Sequence, residues 1–278
     1  MTKISFLNGK FKPYDQCLVH VEDRGLQFAD AVYEVILLHE KKLIDDEKHL
    51  QRLFFSLGEL GIKIEYNIDN IKKIICQICD LNEVENGAIY LQVSRGHSGP
   101  RDQNIPAQYQ ASFFIKISPL IKNNKEIHFL KTFDDLRWGR CDIKSTALIY
   151  SSICRTKAIE DGFDDALFIK NNFITECSFS NIFFINAENE LVTRSVDREV
   201  LNGITRRRII DLAQKSNIKV VEKKFSLAEI FQAKEVFVTS STLKIRPIGK
   251  INDIIIGGGK VGILTRKIQN LYQEFISK

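Results

Sequence analysis

Nowhere in the 278 residues does an apolar run approach the roughly 18–20 needed to cross a bilayer, so no membrane-spanning helix is expected. The first nine residues, Met1-Thr-Lys-Ile-Ser-Phe-Leu-Asn-Gly9, lack a basic stretch followed by a long apolar core. A secretory leader is therefore not expected, and the reading is cytoplasmic. Dense basic clusters are scarce: Arg206-Arg-Arg208 and residues 122–125 stand alone in a chain of net charge +5. Neither is interleaved with aromatics, which argues against a nucleic-acid partner. The six cysteines are scattered through a chain too long to need stapling, so reduced thiols are expected. Cys76-Gln-Ile-Cys79 has metal-pair spacing but no second pair, and it lies in a helix-period segment; no metal is expected, and both thiols read as buried helix residues. Gly257-Gly-Gly259 lacks the spacing of a phosphate loop, and no internal repeat is present.

What is there reads as a globular α+β chain of one large or two ordinary domains, 44% hydrophobic and 27% charged. Asn8-Gly9 between short alternating runs predicts a hairpin turn. Residues 32–39 predict a strand. The stripe Leu50, Leu53, Phe54, Leu57, Leu60 predicts a helix over 49–60, and residues 67–81 a second one. Strands over 87–93 and 111–117 complete a first domain, residues 1–118, read as two helices on a mixed sheet. Turn composition at 119–124 predicts the linker. Residues 125–278 alternate strands with helices that begin near Ser145, Ile204, Ala228 and Gly262.

The segment Asp135-Leu-Arg-Trp-Gly-Arg-Cys-Asp-Ile-Lys-Ser145 frames one lysine, Lys144, at an element boundary beside Arg137 and Arg140. Cationic neighbours ease loss of the ammonium proton, and a neutral amine attacks carbonyls. On this segment alone a solvated lysine remains the simpler reading.

Further blocks accompany it: Glu22-Asp-Arg-Gly-Leu-Gln-Phe-Ala-Asp-Ala-Val-Tyr-Glu-Val35, His49-Leu-Gln-Arg-Leu53, Tyr90-Leu-Gln-Val-Ser-Arg-Gly96, Ile174-Thr-Glu-Cys-Ser-Phe-Ser-Asn181, Asn202-Gly-Ile-Thr-Arg-Arg207 and Val238-Thr-Ser-Ser-Thr242. In this order and spacing the set resembles the fold-type IV aminotransferases dependent on pyridoxal 5'-phosphate (PLP), most of all those acting on D-amino acids. The resemblance spans nearly the whole chain. It implies a two-domain enzyme, with a small α/β domain and a larger, mixed, β-barrel-like domain flanked by helices. It also implies a homodimer whose substrates are a D-amino acid and a 2-oxo acid.

The resemblance implies a set of residue roles. Lys144 becomes the Schiff-base lysine and proton shuttle. Glu176 faces the pyridine nitrogen, although by periodicity alone it is an exposed strand-end glutamate. The phosphate falls to Ile204 and Thr205 at a helix start, to Ser240, Ser241 and Thr242, and to Arg52. Tyr33, Arg101 and Gln103 bind the substrate carboxylate, with Arg101 reaching the neighbouring subunit's site. The chain departs from the family pattern here: Arg95-Gly-His-Ser-Gly-Pro-Arg101-Asp-Gln103 is one residue longer, with glutamine for histidine. His97 and Lys244 are candidate replacements for the lost charge. Cys177 and Phe179 also stand where smaller residues are usual. Alternatives of the same fold are an aminodeoxychorismate lyase-like enzyme and a branched-chain L-aminotransferase; a non-catalytic basic binding module is the third class.

Overall fold

Asn8 and Gly9 adopt positive φ angles of 48° and 84°, as a two-residue hairpin turn demands, and join β1 (Ile4–Leu7) to β2 (Lys10–Pro13). The computed structural model describes residues 3–120 and 125–278. After this hairpin come α1 (Arg24–Phe28), β3 (Ala31–His39), β4 (Lys42–Leu43), α2 (Asp46–Leu60), α3 (Ile68–Asn82), β5 (Gly87–His97) and β6 (Gln110–Pro119). The strands form one sheet in the order β2-β1-β6-β5-β3-β4. Every pairing in it is antiparallel, which corrects the mixed sheet expected from sequence. Periodicity reports which face a strand buries, not which way its neighbour runs.

Alternation then divides the sheet. Ile36 and Leu38 of β3, Ile89, Leu91 and Val93 of β5, and Phe113, Ile115 and Ile117 of β6 meet Leu50, Leu53 and Leu57 of α2 and Ile71, Ile75 and Ile78 of α3 in one buried core. Each such aliphatic side chain contributes about 1.5–3 kcal/mol on burial. Tyr33, Tyr90, Gln92, Phe114 and Lys116 belong to the opposite set of positions and are only half buried. Because the α3 stripe is Ile71, Ile75 and Ile78, Cys76 turns to solvent and Cys79 is only half buried, contrary to the expectation of two buried thiols.

The second unit contains β7 (His128–Asp134), α4 (Ile149–Glu160), β8 (Asp165–Lys170), β9 (Phe173–Cys177), β10 (Asn181–Ile185), β11 (Leu191–Thr193), α5 (Ile204–Lys215), β12 (Val220–Glu222), α6 (Leu227–Phe231), β13 (Glu235–Ser240), β14 (Lys244–Ile251), β15 (Ile254–Ile255) and α7 (Ile263–Ser277). Its nine-stranded sheet is mixed, ordered β12-β11-β10-β13-β14-β7-β8-β9 with β15 beside β14. The far edge curls back: Ile174 N donates to Phe225 O at 2.9 Å, and Phe173 bridges Ser226, just past β12. The sheet is thus close to a barrel.

By contact the chain falls into Met1–Ile121 with Ile143–Ala147, and Lys122–Asp142 with Leu148–Lys278. The expected linker, 119–124, begins in β6, and its residues 121–124 lie outside the described residues, as do three of the four positions in the 122–125 cluster. The excursion of Ile143–Ala147 also explains why α4 begins at Ile149 rather than Ser145. Those residues are held against β3 by backbone bonds: Tyr33 N donates to Lys144 O at 2.9 Å, Thr146 N to Ala31 O at 3.0 Å, and Val32 bridges Ser145. No helix among the described residues is long and apolar enough to cross a membrane.

Candidate active site

In the first unit Lys144 is fixed by its backbone. Besides its pairing with β3, its N–H donates to Ser56 Oγ at 3.3 Å, and its neighbour Ile143 is buried in the core. The side chain is half exposed, with Nζ 4.3 Å from the centroid of the Tyr33 ring. Tyr33 in turn stacks on Tyr90 at 5.8 Å. Lys144 and Tyr33, two of the sequence candidates, are therefore neighbours.

Glu34, one residue on, faces the helix side of β3 and is fully buried. A carboxylate there needs partners. Arg52 of α2 supplies a fork, Nε to Oε1 at 2.7 Å and Nη2 to Oε2 at 2.9 Å, and His49 Nδ1 lies 2.8 Å from Oε2. Burial pushes the Glu34 carboxyl upward, but Arg52 and His49 outweigh it and hold the group well below the usual carboxylate range. His49 is lowered by burial against the pull of Glu34. Arg52 is consequently oriented by a carboxylate that the sequence reading did not single out.

Arg101 and Gln103 lie in the exposed, strand-free stretch between β5 and β6. The Arg101 guanidinium rests over the Phe28 ring at 4.7 Å. His97 is exposed and stacked on His20 at 4.3 Å.

The second unit gathers the remaining candidates at one end of its sheet. Glu176, near the end of β9, is buried; Oε1 accepts from Arg137 Nη1 at 2.6 Å, and Oε2 accepts from Asn181 Nδ2 at 3.1 Å and Leu201 N at 3.2 Å. Arg137 also grips Asp135 through Nε (2.9 Å) and Nη2 (2.7 Å), and Thr175 Oγ1 donates to the same carboxylate at 2.7 Å. Burial raises Glu176 above its ordinary value, and Arg137 opposes the rise without cancelling it. The strand-end glutamate of the periodicity reading is thus a buried, fully bonded carboxylate.

Asn181 opens β10 opposite Thr239 of β13, which brings Ser240 to the same sheet end. Its Nδ2 also donates to Leu201 O at 2.9 Å. A Cβ on Gly203 would stand 2.0 Å from Asn181 Oδ1, so only glycine allows this approach. Gly203 is the N-cap of α5 and makes no side-chain cap, leaving the first-turn amides around Ile204 and Thr205 without a side-chain acceptor. Thr205 is buried, Ser240 and Ser241 are half buried, and Thr242 is exposed. Ser240 Oγ accepts from Leu243 N at 3.2 Å. Lys244, half buried at the start of β14, is lowered by burial. An uncapped helix start favours an anion, which hydroxyls can also bond, and a buried acid with a raised pKa favours sharing a proton with a nearby base.

Sequence reasoning missed Glu34, His49, Asp135, Thr175 and Asn181, and saw in Arg137 only a cationic neighbour of Lys144. All six lie within or beside the quoted blocks, so position was available but partnership was not.

With this geometry, a family model described as "Amino-transferase class IV" matches residues 31–251, and the chain belongs to that family. Its relatives include the D-alanine aminotransferase of Bacillus licheniformis, 35% identical over 272 residues that cover 97% of this chain and 95% of the relative. Among solved structures, the branched-chain amino acid aminotransferase from Escherichia coli superposes with TM-score 0.91, covering 99% of this chain and 95% of that one. At 22% identity it speaks to the fold. A putative 4-amino-4-deoxychorismate lyase from Legionella pneumophila gives TM-score 0.85 at 26% identity, covering 92% and 95%.

Proposed function

We propose that this aminotransferase uses PLP to move an amino group between a D-amino acid, of the D-alanine or D-glutamate type, and a 2-oxo acid such as pyruvate or 2-oxoglutarate. The observation that carries the reading is 35% identity, over nearly the full length, to a protein named D-alanine aminotransferase. We further propose that Met1–Ile121 corresponds to the small domain and the remainder, bar Ile143–Ala147, to the cofactor-binding domain. A homodimer in the cytoplasm completes the proposal; six free cysteines suit a reducing compartment.

The donor set fits PLP. The uncapped start of α5 at Ile204 and Thr205, with the hydroxyls of Ser240, Ser241 and Thr242, suits a phosphate dianion, and Arg52 supplies a cation held by Glu34. Glu176, already raised by burial, suits sharing a proton with a ring nitrogen. When bound, PLP supplies an aldehyde to capture the amine and a ring that withdraws electrons from the substrate Cα. Lys144 Nζ removes the proton from that Cα and returns one, while the Tyr33 ring at 4.3 Å limits the directions open to the amine. Tyr33, Arg101 and Gln103 hold the α-carboxylate; a two-point Arg101 contact fixes which face presents its hydrogen and so selects the D-enantiomer.

Purified holoprotein incubated with D-alanine and 2-oxoglutarate should yield pyruvate and D-glutamate in equal amounts by chiral chromatography, and Lys144→Ala should yield neither. The Legionella likeness favours a second reading, a lyase. Pyruvate release from 4-amino-4-deoxychorismate, with no amino transfer from D-alanine, would establish it in place of the first. Transfer from L-leucine but not D-alanine would overturn the stereochemical assignment.

A further inference from the structure

We infer that Arg24 is a positioning residue that holds the loop carrying Arg101 and Gln103, and so sets the enzyme's grip on the substrate carboxylate; this rests on the proposed role of those two residues. Residues 98–105 are all exposed and form neither helix nor strand. Hydrophobic burial therefore does not fix them. Arg24 lies at the opposite extreme, only 7% exposed despite its charge.

Its guanidinium reaches the loop backbone on both sides of Gln103. Nη1 donates to Asp102 O at 2.6 Å and to Asn104 O at 3.1 Å. Nε donates to Asp30 Oδ2 at 2.8 Å, and Asp30 is itself gripped by Arg95 through Nε at 2.7 Å and Nη2 at 3.1 Å. Arg95 is anchored to Leu60 O at 2.6 Å and Gly61 O at 3.2 Å at the end of α2. The loop is thus tied through one guanidinium to Asp30, a half-buried acid whose side chain is 11% exposed, and through that acid to the end of α2. Phe28 adds a second tie, since Arg24 and Arg101 both lie over its ring, at 4.6 and 4.7 Å. Asp102 Oδ1 accepts from Asn104 N at 3.0 Å and closes the local turn. The residue one position before this clamp is Arg101, and the residue inside it is Gln103. The planar fork spreads these contacts over two nitrogens, Nε for the carboxylate and Nη1 for the two carbonyls, whereas an ammonium would have to meet all three from one point.

The test compares Arg24→Met, Arg24→Lys, Phe28→Leu and Arg101→Ala with the unaltered holoenzyme. Backbone hydrogen exchange of residues 101–105 should quicken in Arg24→Met and, to a smaller extent, in Arg24→Lys. KM for D-alanine should rise roughly tenfold in Arg24→Met with kcat within about twofold, because binding geometry rather than the proton-transfer step is lost. Arg24→Lys should recover part of that loss, and Phe28→Leu should show a smaller rise in KM. Unchanged exchange and KM in both Arg24 variants, with KM raised in Arg101→Ala, would overturn the positioning role alone. An unchanged KM in Arg101→Ala would overturn the carboxylate assignment beneath it. Should Arg24→Met fail to fold, Arg24→Lys and Phe28→Leu carry the same comparison.

Discussion

Glu34→Gln, combined with Arg52→Met in a double-mutant cycle, tests whether the buried anion of β3 is what orients the α2 arginine. The carboxylate is fully buried and Arg52 is 8% exposed, so each charge depends on the other for compensation. Removing either partner alone strands a buried charge and should cost about 3–5 kcal/mol of stability. Removing both leaves a neutral amide beside a thioether, and the double variant should recover about 2–3 kcal/mol of the summed losses as coupling. Denaturant unfolding followed by far-UV circular dichroism, with hydrogen exchange over β3 and α2, reads the relevant unit; Trp138 fluorescence would report on the other. A pH series adds a sign. The folded pKa of Glu34 is depressed, so its contribution is complete above the ordinary carboxylate value of about 4.3. It then fades as pH falls below that value toward the folded one. The gap between wild type and Glu34→Gln should therefore be flat from pH 8 to 5 and narrow at lower pH. Strictly additive losses, or a gap that widens on acidification, would refute the argument.

Three further outcomes follow from the second unit. Glu176→Gln should retain the fold, because Asn181 and Leu201 still have an oxygen to address and Arg137, though it loses Oε1, keeps its Asp135 fork, but lower turnover roughly a hundredfold in steady-state assays. Gly203→Ala should drive a methyl into Asn181, cost about 1–3 kcal/mol and weaken retention of PLP on dialysis. Asp165 is raised by burial to about 6, with Ser178 and the Ala166 amide opposing. Its folded pKa exceeds the unfolded one, so stability declines as pH rises from the ordinary carboxyl value of about 3.9, and the loss is complete above about 6. Asp165→Asn should raise the melting temperature by a few degrees at pH 8, with the gain shrinking through pH 5 and disappearing only below about pH 4.

The parts of the fold that local physics determines were legible in the sequence. The apolar stripe of α2, the alternation of β3 and the Asn8-Gly9 turn each follow from side-chain period or φ preference within a few residues. The helix expected to open near Ile204 likewise starts there, as α5. What escaped was set at long range. Glu34 looks like any alternate strand residue until β3 turns that face toward Arg52, eighteen positions on. The clamp of Arg137 on Asp135 and Glu176 joins segments 39 residues apart, and no local pattern encodes it. The antiparallel run of the first sheet was hidden for the same reason, since strand direction leaves no trace in hydrophobic alternation. The late start of α4 reflects a tertiary override: backbone bonds to β3 hold Lys144 and its neighbours out of the helix that composition favoured.

The pairing of Ile143–Ala147 with β3 has a consequence for any attempt to divide the gene. A fragment ending before residue 121 would possess the ledge but not Lys144. The complementary fragment would own the amine with nothing to lean it on. On the role proposed for Lys144, activity in such a split enzyme should return only on recombining the pieces, because a five-residue detour seats that lysine on a strand encoded more than a hundred positions upstream.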